Sequence, residues 1–154
     1  MANMTGPRQV SFQELSVRST TLQDVLGARV QDSVGNEYVY LKGVASCAIG
    51  SWVSYDEAYA TTLLAANAVG PVGIAQSASV ASEFGWFQIF GVNAAAKTDT
   101  IAADKALFID GTAGRVDDAV VTGDLVVGAY SMTADTTNVA TVHISFPHVS
   151  DVLG

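Results

Sequence analysis

From Leu26 onward the chain reads as short apolar runs punctuated by Gly and Asp-Gly turns. Ala28-Arg29-Val30-Gln31 alternates up to Asp32, Ser33–Asn36 reads as a turn, and Glu37–Lys42 alternates aromatic, branched and polar residues. That pair predicts a β-hairpin, because branched and aromatic side chains suit a pleated, half-buried surface. A third strand is expected over Val44–Ile49 and a fourth over Trp52–Tyr55, joined at Gly50. Further strands are expected over Val72–Ala78, Trp86–Phe90, Leu107–Ile109, Leu125–Ser131 and Val139–Phe146. Asp110-Gly111 ends the third of these as a turn, Gly128 marks a bulge or close backbone approach, and Pro147 ends the last. Ala94–Ala96 and Thr100–Ala103 read as small-residue strand or loop. Glu57–Val69 is open: Ala, Leu and the leading acidic pair favour a helix, whereas Thr61-Thr62 and the strands on both sides favour a strand with a loop, which is the preferred reading.

Many short strands at intervals of roughly ten residues predict an all-β fold, a single β-barrel or β-sandwich domain. No internal repeat is evident. Residues 26–154 form this domain, and residues 1–25 are expected to be an extended N-terminal arm: they are polar, carry Pro7, and lack a sustained pattern. Val10, Phe12, Leu15 and Val17 give the arm something to bury, so it is expected to order on a neighbouring subunit. In the Trp86–Phe90 run, alternation puts Trp86, Gln88 and Phe90 on one face and Phe87 and Ile89 on the other. Either one set fills the core while the other is partly covered, or the second set lies in an interface, where aromatics are enriched. The candidate subunit or partner interface is therefore Val10, Phe12, Leu15, Val17, Trp86 and Phe90.

Charge sharpens this picture. Charged residues make up 14% of the 154, against about 25% in ordinary soluble proteins. A neutral surface of that extent points to assembly with other chains. The net charge is −8 and the seven basic residues are scattered, which disfavours a nucleic-acid partner or an anionic membrane. No apolar run reaches the ~18 residues of a membrane-spanning helix. MANMTGPRQV has no charged start followed by an apolar run, so no secretory signal is read and synthesis in a cytoplasm is expected.

Candidate chemistry is sparse. Cys47 is the only cysteine and lies in an Ala-rich run, where it reads as a small buried hydrophobe. His143 and His148 are five apart, which on a strand predicts opposite faces and no metal pair, and His143 reads as solvated or subunit-facing. No G-x-S-x-G, phosphate-loop or dinucleotide fingerprint is present. Asp110-Gly111 and Asp117-Asp118 read as turn formers, without the ligand spacing of a calcium loop. No catalytic residue, metal site or cofactor is expected.

The order LGARVQDSVGNEYVYLKG, AIGSWVSYDE, GPVGIAQ, FGWFQIFGV, ALFIDGTAGRVDD, VVGAY and ISFPHVS, over about residues 26–150, resembles the small head decoration (cement) proteins of tailed bacteriophages. Its most distinctive pieces are Gly85-Trp86-Phe87-Gln88 and Gly111-Thr112-Ala113-Gly114-Arg115. The resemblance implies a structural virion protein bound to the outside of an expanded icosahedral head. Such a protein cements neighbouring capsomers, with the major capsid protein and its own copies (a homotrimer) as partners. It implies no catalytic residues. Competing readings are another β-rich virion component (tail tube or fibre base), a carbohydrate-binding module stacking sugars on Trp52 or Trp86, and an enzyme.

Overall fold

The computed structural model describes residues 8–151. Along them run β1 (Arg8–Gln9), α1 (Phe12–Leu15), β2 (Arg29–Gln31), β3 (Glu37–Lys42), β4 (Trp52–Tyr55), β5 (Thr61–Leu63), β6 (Gly70–Ala75), β7 (Phe84–Lys97), β8 (Ala106–Ile109), β9 (Val116–Asp117), β10 (Leu125–Ser131) and β11 (Val139–Val149). The described residues are thus nearly all β, and their 11 strands join in one mixed sheet, consistent with a sandwich or barrel-like domain. Its main path is β1-β2-β3-β7-β6-β11-β10-β8-β9, with β4 and β5 branching from β6.

The branch arises at β6, where Val72–Ile74 pairs with β4, Ile74 and Ala75 with β7, and Gly70 and Pro71 with β11. β7 changes partner along its length: Phe84–Phe90 pairs with β3, Phe87 and Gln88 also pair with β6, and Phe90–Lys97 pairs with β11. Three apolar clusters fill the interior. Trp52, Val72, Ile74, Leu107, Ile109, Val126, Val142 and Ile144 belong to the largest. Phe87 and Ile89 point into a second with Val39, Leu41, Cys47, Val53 and Ala75. Trp86, on the opposite face of β7, enters a third with Val10, Leu15, Val30, Tyr38 and Tyr40.

The third cluster corrects the expectation for the N-terminus. Residues 8–24 lie on their own domain. β1 pairs in parallel with β2, Ser19 bridges Phe84, and the Arg18 guanidinium donates to the Ala78 carbonyl at 2.7 Å and faces the Glu83 carboxylate at 3.6 Å. Helix α1 is stabilised by a capping box: the Glu14 N–H donates to Ser11 Oγ, and the Glu14 carboxylate accepts from the Ser11 N–H. Two orphan donors are satisfied this way, and Leu15 is delivered to the core. Residues 1–7 of the expected arm lie outside the described residues.

Several elements differ from the sequence expectation for local reasons. Val44–Ile49 is not a strand: Ser46 takes φ 62°, a left-handed conformation that breaks extension, and Cys47 makes only a single bridge to Ser79. Glu57–Val69 resolves to β5 between turns. The Asp56 carboxylate accepts from the Ala58 and Ala60 N–H groups, and Tyr59 and Asn67 have positive φ, so no helix propagates. β11 runs through Pro147 instead of ending there, because the missing N–H falls beside an irregularity at Phe146, whose φ is 45°. Phe84, Gly85 and the small-residue run Ala94–Ala96 all lie within the long β7.

Candidate interaction surface

Three irregularities, one on each neighbouring strand, shape a single outward strip across β7, β11 and β10. On β7 the partner switch is made at Gly91, with φ 104°, where an added Cβ would lie 1.9 Å from Asn36 Oδ1. A buried amide clip holds the bend. Gln88 Nε2 donates to the Phe90 and Val92 carbonyls, both at 3.1 Å, and Gln88 Oε1 accepts from Asn93 Nδ2 at 2.9 Å. Every polar atom of the Gln88 amide is thus partnered, as a buried amide requires. From the other side Asn36 Oδ1 accepts the Val92 N–H at 3.1 Å.

Asn36 is itself fixed by Asp32. The Asp32 carboxylate accepts from the Val34 and Asn36 N–H groups, from Asn36 Nδ2 and from the Tyr38 hydroxyl, all between 2.8 and 3.0 Å. Burial alone would raise the Asp32 pKa, but these hydrogen bonds to its charged form prevail and hold it below the usual carboxylate range. The Tyr38 phenol is pushed upward by burial first, then by its hydrogen bond to the Asp32 carboxylate and by that group's charge. The β2–β3 turn is therefore a charged clamp on the bend of β7.

On β10, Gly128 (φ 81°) sits in a bulge, as its position in the strand predicts. An added Cβ would meet the Ser145 carbonyl oxygen at 2.6 Å. On β11, Phe146 occupies the left-handed region at 45° directly before Pro147. For a bulky residue this conformation costs about 1–2 kcal/mol, and strain of this kind clusters at functional positions. The extra residue also inverts the alternation. Val142 and Ile144 are buried before it, Pro147 and Val149 after it. His143 and His148, expected on opposite faces, therefore both alternate outward between core residues.

The outward strip carries Phe90, Val92, Tyr130, His143 and Phe146. The Phe90 and Phe146 rings are 5.4 Å apart, Phe90 meets His143 edge-on at 6.2 Å, and Tyr130 stacks on His143 at 5.3 Å. Arg29, from β2, holds its guanidinium 5.7 Å from the Phe146 ring centroid, within cation–π range. Phe146 remains 46% exposed, Tyr130 44% and Val92 42%. Val127 and Leu125, also exposed on β10, continue the apolar character into a groove of about 330 Å³ lined further by Phe108, Val120 and Val121.

Of the six interface candidates in the sequence, Phe90 lies in this strip. Val10, Leu15 and Trp86 do not belong to any outer surface, being at most 7% exposed inside the third cluster. The alternation of β7 is as expected, but residues 8–24 cover the face that alternation alone left open. Phe12 and Val17 are exposed on that segment and join none of the strip's ring contacts. Arg29, Tyr130 and Phe146 lie outside those six candidates. Tyr130 alternates outward between Ala129 and Ser131, a signal that could have found it. Arg29 and Phe146 are 117 positions apart, and nothing local joins them.

As chemistry, the strip offers flat aromatic area, one guanidinium and one imidazole. Cys47 is buried, and burial pushes its thiol above the ordinary value, away from nucleophilic use. Among the described residues no group of three or more His, Cys, Asp or Glu side chains could hold a metal ion. Both tryptophans are buried, Trp52 at 0% and Trp86 at 5% exposure, so neither presents a ring for a sugar to stack on. No helix among the described residues is long and apolar enough to cross a membrane. In comparisons with known proteins, no family model, no curated protein and no solved structure matches this chain.

Proposed function

We propose that this chain is a structural virion protein that binds the outer surface of an icosahedral tailed-phage head and cements neighbouring capsomers. The observation that carries this reading is the Phe90–His143–Tyr130–Phe146 strip. Aromatic rings and an Arg are the residue types enriched where protein surfaces meet. Here they are displayed on sheet strands rather than on a loose loop, and one of them is displayed at the cost of backbone strain.

The β architecture and the low charge agree with this reading. In it the chain is a binding protein with no catalytic role and no cofactor, and its partners are the major capsid protein and further copies of itself, as a homotrimer. Several modest contacts made at once would raise overall attachment well above that of any single one. The tail-tube or fibre-base reading uses the same β architecture but calls for rings or filaments of the purified protein.

The test is co-sedimentation of the purified protein with undecorated, expanded heads of its source virus. Saturable binding at a fixed ratio to capsid subunits, with little binding to unexpanded shells, is the expected result. No binding at micromolar protein would overturn the proposal.

A further inference from the structure

We propose that Arg29 and Phe146 form an anchor for a carboxylate on the partner, so that the surface this protein recognises is an acidic one on a head subunit. The inference rests on the reading of the strip as the head-binding face and adds the chemistry of what it binds.

The chain carries 15 acidic and seven basic residues. Two of its arginines are used internally: Arg8 pairs with Glu14 and Asp24, and Arg18 with Glu83. Arg29 is exposed, and among the described residues no carboxylate lies within ion-pair distance of it. It is instead seated over Phe146, the only such cation–ring pair among the described residues. The strip of Phe90, Val92, Tyr130, His143 and Phe146 contains no carboxylate. Glu37 lies across from Phe90 in the β3–β7 register and makes no ion pair with Arg29.

The Arg29 guanidinium, held 5.7 Å from the ring centroid, donates no side-chain hydrogen bond among the described residues, so its N–H fork can match a carboxylate in two parallel hydrogen bonds. Covering the ring would exclude water from the pair and strengthen it. Because the whole chain is acidic, an acidic partner is repelled at long range. Over a Debye length of about 8 Å at physiological salt, that repulsion is largely screened while the local pair is not.

The experiment uses the full chain and expanded heads, with Arg29→Gln, Arg29→Glu, Arg29→Lys and, as a control for general charge, the exposed Lys105→Gln. Arg29→Gln should weaken co-sedimentation roughly tenfold or more, as for a central anchor. Arg29→Glu should weaken it further, Arg29→Lys should recover only part, and Lys105→Gln should bind like the wild type. All four should remain folded, with denaturant midpoints close to the wild type's, since both side chains are exposed and only the Arg29–Phe146 contact is lost. If the wild type binds and Arg29→Gln binds equally, the anchor is wrong and the head-binding reading stands. If the wild type does not bind heads, both fall. If Arg29→Gln leaves head binding intact but dissociates self-assembly in sedimentation velocity, the acidic occupant is a second copy and the head-subunit assignment is overturned.

Discussion

The rings of Phe90 on β7 and Phe146 on β11 lie 5.4 Å apart, and Phe146 makes this contact from a backbone φ of 45°. Both Phe146→Ala and Phe146→Gly delete the ring, but only alanine keeps a side chain at that φ. Phe146→Gly should therefore be the more stable of the two variants, by about 1 kcal/mol in urea unfolding. Alanine equal to or better than glycine would mean that the left-handed backbone is not retained.

Gly128 should not tolerate even a methyl group. Its φ is 81° and the nearest obstacle is backbone, the Ser145 carbonyl oxygen at 2.6 Å from an added Cβ. Gly128→Ala is expected to lose more than about 1 kcal/mol of stability, and the Tyr130–His143 stack next to the bulge should loosen with it. An unchanged denaturant midpoint would show that the bulge yields easily.

Asp32 ties stability to pH in a direction that follows from its shift. Its folded pKa is depressed, so its contribution is fully present above the ordinary carboxylate value of about 4 and is lost as pH falls through the lower folded value. Asp32→Asn should lower stability at neutral pH and flatten the acid limb of the stability–pH curve below about pH 4. Retention of the wild-type acid limb would assign that limb to other carboxylates.

Removal of residues 1–18 should destabilise the domain, because Val10 and Leu15 leave the Trp86 cluster. Trp86 should then become accessible to acrylamide and shift its emission to the red, while Trp52, fully buried among other side chains, stays shielded. Unchanged quenching would mean that the segment does not cover Trp86 in solution. Leu15→Ala, a milder probe of the same contact, should cost about 2–5 kcal/mol.

Cys47 should resist thiol reagents in the native protein and react in denaturant, since it is buried and its thiol is pushed upward. Rapid stoichiometric labelling of the folded chain would show that the Ala-rich loop around it opens readily.

Much of the β architecture is legible in the alternation of single segments. The β2–β3 hairpin, the bulge at Gly128 and the two faces of β7 each follow from side-chain period and turn chemistry, which act over a few residues. Other features depend on partners far away in the chain. The left-handed turn at Ser46 and the passage of β11 through Pro147 are local conformations that neighbouring strands hold in place, against local preference.

Composition and side-chain alternation point to an all-β chain with little charge, a cysteine in an apolar run, and an aromatic run with two distinct faces whose neighbours stay open. Closure of residues 8–24 over Trp86, and the exposed strip of Phe90, Tyr130, His143, Phe146 and Arg29, emerge from the folded sheet alone. Alternation reports which side of a strand a residue takes, whereas its neighbours depend on strand order. Here that order turns on the partner switch of β7 at Gly91 and on a bulge that reverses the alternation at Phe146.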